Sequence, residues 1–160
     1  MKKSDFPPII DQNTEIIILG SLPSDMSILK GEYYANPKNQ FWRIIFAIFN
    51  KNEPLYKYNE KITILLKNRI GLWDVLTEAD REGSLDSNIQ REVLNDFSQL
   101  FNDYPKIRKL AFNGDKAFQS FLKMKAGLPQ KELVLLTSSS SMNTSKSIVL
   151  KVKEWEIGLK

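Results

Sequence analysis

An α/β domain with a mainly parallel central sheet and helices on both faces is the fold class this sequence predicts, on three observations. Four short apolar runs rich in β-branched residues are spread along the chain, segments with helical spacing lie between them, and loops rich in Gly, Ser or Asn follow three of the four runs. Short continuous apolar runs suit strands buried on both faces, and their alternation with helices suits a parallel sheet. The first strand is Glu15 to Leu19 (EIIIL), ending at Gly20. Phe41, Ile44, Ile45, Ile48 and Phe49 then fall on one face of a helix over Asn39 to Asn50. Ile62, Leu65 and Leu66 do the same over Tyr58 to Arg69, and Gly71 to Leu76 (GLWDVL) is the second strand. Ile89, Val93, Leu94, Phe97 and Leu100 mark a long helix ending near Asp103. The third strand, Ile107 to Phe112, stops at Asn113–Gly114, and a helix carrying Phe118, Phe121 and Leu122 follows Asp115. Glu132 to Leu136 is the fourth strand, and Thr144 to Trp155 forms the last helix. With 160 residues, no repeat and no interior linker, residues 1–160 are expected to form one domain, with Met1 to Pro8 a loose lead-in.

Composition removes several chemistries. The chain has no cysteine, hence no disulfide, thiol nucleophile or thiolate metal site, and no histidine, hence no His-dependent triad and no His-ligated zinc. What remains is carboxylates, hydroxyls, amides and backbone. The apolar runs all fall short of the roughly 18 residues a membrane helix needs. The lysines near the N-terminus are followed by no apolar core or small-residue cleavage site, so a cytoplasmic protein with no membrane partner is expected. A net charge of +4 is compatible with nucleic acid without demanding it.

In open parallel sheets the ligand sits at the carboxyl ends of the strands. The first loop there, Gly20 to Trp42 (GSLPSDMSILKGEYYANPKNQFW), combines a tight turn, the hydroxyls of Ser24 and Ser27, two tyrosines and Asn39 at a helix start. Asn39 reads either as a helix N-cap or as a site residue, and a loop this long in a compact domain favours the second. Thr137 to Ser145 (TSSSSMNTS) reads either as solvated loop or as an anion cradle at the start of a helix. It lacks the glycines and the lysine–Ser/Thr pair of a nucleotide P-loop. Between Asp74 and Asp86 the acidic residues match no calcium loop. Asp86 or Ser87 is expected to cap a helix and Glu78 to Glu82 to be solvated surface, whereas Asp74, inside a strand, is expected to be buried and partnered.

These segments together resemble the uracil-DNA glycosylase superfamily, most closely its branch of hypoxanthine-DNA (deoxyinosine) glycosylases, near the mismatch-specific uracil glycosylases. The resemblance is carried by GSLPS (Gly20 to Ser24), YYANPKNQFW (Tyr33 to Trp42), LWDVL (Leu72 to Leu76), REGSLDSNI (Arg81 to Ile89), FNGDKAF (Phe112 to Phe118) and the serine loop with Asn143. They run in order across nearly the whole chain. It implies a three-layer α/β/α sandwich around a four-stranded, mainly parallel sheet, acting as a monomer on DNA that contains a deaminated or mismatched base. The reaction would be hydrolysis of the N-glycosidic bond without metal or cofactor. By the resemblance Asn39 is the catalytic amide, with Ser21 beside it in the first motif. Tyr34, Phe41, Leu22 and Pro23 surround the flipped base, and Ser24, Ser27, Lys38, Ser138, Ser139, Ser140, Met142, Asn143 and Lys146 hold DNA, with Met142 the wedge that enters the base stack.

Two departures qualify it. Thr137 and Ser141 stand where the second motif usually holds prolines, and the histidine used by the strongest uracil-excising branch is missing. A module that binds damaged DNA without cutting, and a small-molecule binder on a flavodoxin-like frame, are the competing readings.

Overall fold

The computed structural model describes residues 2–3, 6–49, 57–81 and 85–160. The strands are β1 (Lys2–Lys3), β2 (Ile16–Gly20), β3 (Ile70–Asp74), β4 (Leu76–Asp80), β5 (Gln90–Leu94), β6 (Lys109–Asn113) and β7 (Glu132–Leu136). The helices are α1 (Asp25–Lys30), α2 (Phe41–Phe49), α3 (Tyr58–Lys67), α4 (Phe97–Asp103), α5 (Asp115–Met124) and α6 (Ile148–Gly158), with a single 3₁₀ turn at Asp86–Asn88.

The frame is a four-stranded sheet in the order β3-β2-β6-β7, parallel at every pairing. Parallel neighbours need crossovers, and the helices supply them. The period of two sorts the strands' side chains into two cores. Ile16, Ile18, Ile70, Leu72 and Ala111 face the layer of α2, α3 and α6, meeting Phe41, Leu65 and Trp155. Ile17, Leu19, Leu110 and Phe112 face α4 and α5, meeting Phe97, Leu100 and Phe121. Every residue of the central strand β2 is buried. This is the three-layer α/β/α arrangement with a four-stranded parallel sheet that the sequence predicts.

The chain also builds a second sheet that the sequence does not announce. β1, β4 and β5 pair antiparallel, in the order β1-β4-β5. The run Gly71 to Leu76 is therefore two strands: β3 ends at Asp74, and after Val75 the chain crosses into β4. The long helix expected over Ile89 to Asp103 is β5 followed by α4. Asn95 breaks it by donating its side-chain amide to the Asp74 carbonyl at 2.8 Å, and Asp96 caps α4 by accepting from the Gln99 backbone N–H at 2.9 Å. Apolar residues at Ile89, Val93 and Leu94 fit either period, and pairing with β4 decides between them.

Other boundaries shift for capping reasons. The last helix starts at Ile148, because the Ser147 hydroxyl accepts from the Leu150 N–H. Within the first loop, Ser24 caps α1 and Gly31, at φ 67°, ends it. The lead-in expected to be loose is tied down where it is described. β1 pairs with β4, Phe6 packs on Tyr33 at 4.3 Å between ring centroids, and the Tyr33 hydroxyl donates to the Pro7 carbonyl at 2.8 Å. Met1, Ser4, Asp5, residues 50–56 and 82–84 lie outside the described residues, among them Asn50 and Glu82 of the expectations above.

Candidate active site at the strand ends

The same alternation that fills the core places the last residues of three strands in the site. Gly20, Asp74 and Asn113 lie two positions beyond Ile18, Leu72 and Ala111, so all three face the α2 side, and Gly20 pairs with Asp74 across the sheet. Gly20 has to be glycine. A Cβ there would sit 2.7 Å from Asp74 Oδ1 and 3.1 Å from the Tyr34 hydroxyl, so its absence leaves room for both groups over the central strand.

Four side chains then form a chain of hydrogen bonds whose directions are fixed. The Ser139 backbone N–H donates to Asn113 Oδ1 at 2.9 Å, which identifies the oxygen. Asn113 Nδ2 therefore donates, to the Tyr34 hydroxyl at 3.1 Å and to Ser139 Oγ at 2.9 Å. Ser139 Oγ in turn donates to Asn39 Oδ1 at 2.8 Å, and the Phe41 N–H donates to the same oxygen at 2.9 Å. The Asn39 oxygen is thus used twice, once as the cap of α2, while its Nδ2 has no partner among the described residues. The helix-start reading of Asn39 holds for its oxygen, which accepts from the first N–H of α2, and its amide N–H groups bond to no described residue.

Tyr34 is the aromatic face of the site. Its ring stacks on Phe41 at 3.9 Å with 16° between planes, and its backbone lies at φ 55°, a left-handed conformation uncommon for a non-glycine. Such strain, about 1–3 kcal/mol, persists where surrounding contacts over-determine it. Burial, then the charge of Asp74, push its phenol well above the ordinary value. Tyr33 points the other way, into the core. Asp74 is buried as expected but not partnered as expected: no hydrogen bond from a described residue reaches its carboxylate, and its Oδ2 is fully buried without one. Burial and the Asp86 charge push its carboxyl up to about 7, against the opposing pull of Arg81.

The first loop is held from outside by the connection between β4 and β5. Ser21 Oγ donates to Asp86 Oδ1 at 2.6 Å, and Arg81 donates to the carbonyls of Leu22 (3.3 Å) and Pro23 (2.6 Å). Arg81 and Asp86 themselves lie 3.9 Å apart. This corrects two expectations: Asp86 grips Ser21 instead of capping a long helix, and Arg81 is a buried anchor instead of solvated surface, its side chain only 1% exposed. Both follow from the pairing of β4 with β5, which brings Arg81 and Asp86 against the first loop.

The remaining expected site residues divide. Ser24 and Ser27 spend their hydroxyls on α1 and on the Ala35 N–H, and Ser27 is buried. Ser138 and Ser140 accept from amides of their own loop, those of Ser140 and Met142. Ser139 is buried and bridges Asn113 and Asn39. Phe41 and Leu22 are buried behind Tyr34 and the first loop. Asn143 accepts from Ser145, and Lys146 pairs with Glu154. Lys38 is exposed, and Met142 is 74% exposed at the tip of the serine loop. An open groove of about 320 Å³ passes Tyr34, Asn39 and Trp42, with Lys30, Arg43 and Lys61 around it. Among the described residues no three acidic side chains are grouped to hold a metal.

Amides, hydroxyls and a stacked tyrosine thus meet at the carboxyl ends of the parallel sheet of an α/β domain. A family model described as the uracil DNA glycosylase superfamily matches residues 7–156, and the chain belongs to that superfamily. It is 45% identical over 157 residues to a protein named hypoxanthine DNA glycosylase from Methanosarcina acetivorans, covering 98% of this chain and 97% of the relative. It is 40% identical over 147 residues to one of the same name from Methanosarcina barkeri, covering 92% and 93%. The solution NMR structure of a candidate uracil DNA glycosylase from Methanosarcina acetivorans superposes with a TM-score of 0.81 at 46% identity, over 96% of this chain and 94% of that one.

Proposed function

We propose that this chain is a monofunctional DNA glycosylase that hydrolyses the N-glycosidic bond of a deaminated base, hypoxanthine first and uracil second, leaving an abasic site. The observation that carries the mechanism is the locked Asn39 amide, whose oxygen is taken by Phe41 and Ser139 while both Nδ2 protons stay available. A target base must leave the stack, at a cost of a few kcal/mol that is least for a mismatched or damaged base. Outside the stack it meets Tyr34, whose ring rests on Phe41 and whose hydroxyl is held by Asn113.

Bond cleavage leaves the base as an anion and the sugar cation-like; a water then adds to the sugar's anomeric carbon, and the proton it loses balances the charge of the released base. Asn39 Nδ2 and the backbone amides of the Ser21 to Ser24 loop are the donors that stabilise that anion, in the manner of an oxyanion hole. Asn39 is no general base, since its one acceptor atom is already saturated. Met142 fills the gap in the stack, and Lys38 neutralises backbone phosphate.

The test is base release from duplexes carrying hypoxanthine, uracil or xanthine, with hot alkali revealing abasic sites. The parent is expected to release hypoxanthine, and Asn39→Ala to lose at least about 10²-fold in rate while keeping its fold. Tight binding of a lesion duplex with no abasic product would make the protein a damage-binding module instead. No helix among the described residues is long and apolar enough to cross a membrane. We read the protein as a cytoplasmic monomer, which cell fractionation and light scattering would check.

A further inference from the structure

Lys151, in the first turns of α6, is fully buried. Its ammonium donates to Gln40 Oε1 at 2.8 Å, the Asn143 carbonyl at 2.9 Å and the Ser140 carbonyl at 3.3 Å. Three protons meet three neutral acceptors. No carboxylate of a described residue pairs with it, since nearby Glu154 is turned to Thr137 and Lys146. Buried charges are ordinarily paired, so this one has a reason to be there. Burial holds its pKa below the usual lysine value, and the charge of Glu154 opposes that drop.

The two loop carbonyls are the ends of the turn that carries Met142, a turn closed by the Asn143 N–H on the Ser140 carbonyl at 3.1 Å. Across a trans peptide the C=O and the next N–H point in opposite directions. Fixing the carbonyls of Ser140 and Asn143 inward on Lys151 therefore turns the N–H groups of Ser141 and Thr144 outward. The third acceptor, Gln40, follows Asn39 in sequence and donates its own N–H to the Ser139 carbonyl at 2.8 Å.

We propose that Lys151 is the positioning residue of the DNA grip: its ammonium sets the serine loop against the Asn39 segment, turns two amides toward a DNA backbone phosphate, and supplies from behind the charge that phosphate neutralises. The proposal rests on the glycosylase reading, through DNA as the ligand. Lys151→Met keeps the apolar stem and removes the ammonium. It is expected to weaken binding to a hypoxanthine duplex at least tenfold, and to lower the slope of log affinity against log salt by about one, the contribution of one neutralised phosphate. A purely structural lysine would lower the unfolding temperature and leave that slope alone.

The chain has no cysteine, so Lys151→Cys, alkylated in denaturant with 2-bromoethylamine and refolded, places a lysine analogue at this position alone. It should restore affinity to within threefold of the parent. An unchanged affinity and slope in Lys151→Met, or an alkylated protein as weak as the methionine variant, would overturn the proposal. Failure of the parent to bind any duplex would overturn the glycosylase reading instead. Should the variants not fold, ¹⁵N-lysine NMR of the parent decides. A slowly exchanging Lys151 ammonium signal that moves on adding duplex is expected, and a signal that is absent or unmoved counts against the proposal.

Discussion

Asp74 sits under Tyr34 with its buried Oδ2 unbonded, and its ionisation couples the site to folding. Its ordinary pKa is 3.8 and its folded value about 7. Between those values the unfolded chain has lost the proton that the folded chain keeps. Stability therefore falls as pH rises through that window, by about 1.4 kcal/mol per unit, and levels off above 7. A carboxamide in its place has no proton to lose. Asp74→Asn should accordingly gain on the parent by about 2.6 kcal/mol between pH 5 and pH 8, read from urea unfolding at the two pH values. An equal gain at both would place the carboxyl at its ordinary pKa. Asn39, Tyr34 and Ser21 could be found in the sequence because each sits in a segment with several polar or aromatic groups close together. Asn113 could not. It reads as a strand stop before Gly114, and its partners Ser139 and Tyr34 are 26 and 79 residues away. No local signal marks a residue whose role is made entirely by tertiary contact.

The β4–β5 hairpin is the element that the sequence concealed, and the one that braces the first loop. Its strands are short and half exposed, and the apolar positions Ile89, Val93 and Leu94 suit a helix as well as a strand. Strands β2, β3 and β6 are legible because burial on both faces forces continuous apolar runs, and β7, at the sheet edge and partly exposed, keeps the run ELVLL. An edge hairpin has no such requirement. Arg81→Met removes the donors to the Leu22 and Pro23 carbonyls and the partner of Asp86. The loss is expected to be about 2–3 kcal/mol of stability, measured by denaturant unfolding. Base release should drop at least tenfold while binding to undamaged DNA stays near the parent's, since the loop loses its setting and the basic surface is untouched. At the centre of the sheet, Gly20→Ala drives a Cβ against the Asp74 carboxylate and the Tyr34 hydroxyl. Release of hypoxanthine should be lost with a smaller effect on duplex affinity, measured by fluorescence anisotropy.

Both cores share the sheet of β2, β3, β6 and β7, and Leu76 and Ala79 of the second sheet join the same core as Leu19 and Phe112. A chain packed in this way should unfold in one cooperative transition, with near- and far-ultraviolet dichroism coinciding against urea. Two separated transitions would split it into domains. The net charge of +4 adds a further expectation for the whole protein: duplex affinity falls steeply with salt even where the lesion is absent. The site itself closes late along the chain. Asn39 waits for Ser139, 100 residues on, and Gln40 for Lys151, 111 residues on. A ribosome has therefore made Ser21, Tyr34 and Asn39 long before it makes what locks them in place. A copy stalled or clipped before residue 151 carries Asn39 without the Lys151 contact to Gln40 beside it, and is expected to release no base from a hypoxanthine duplex.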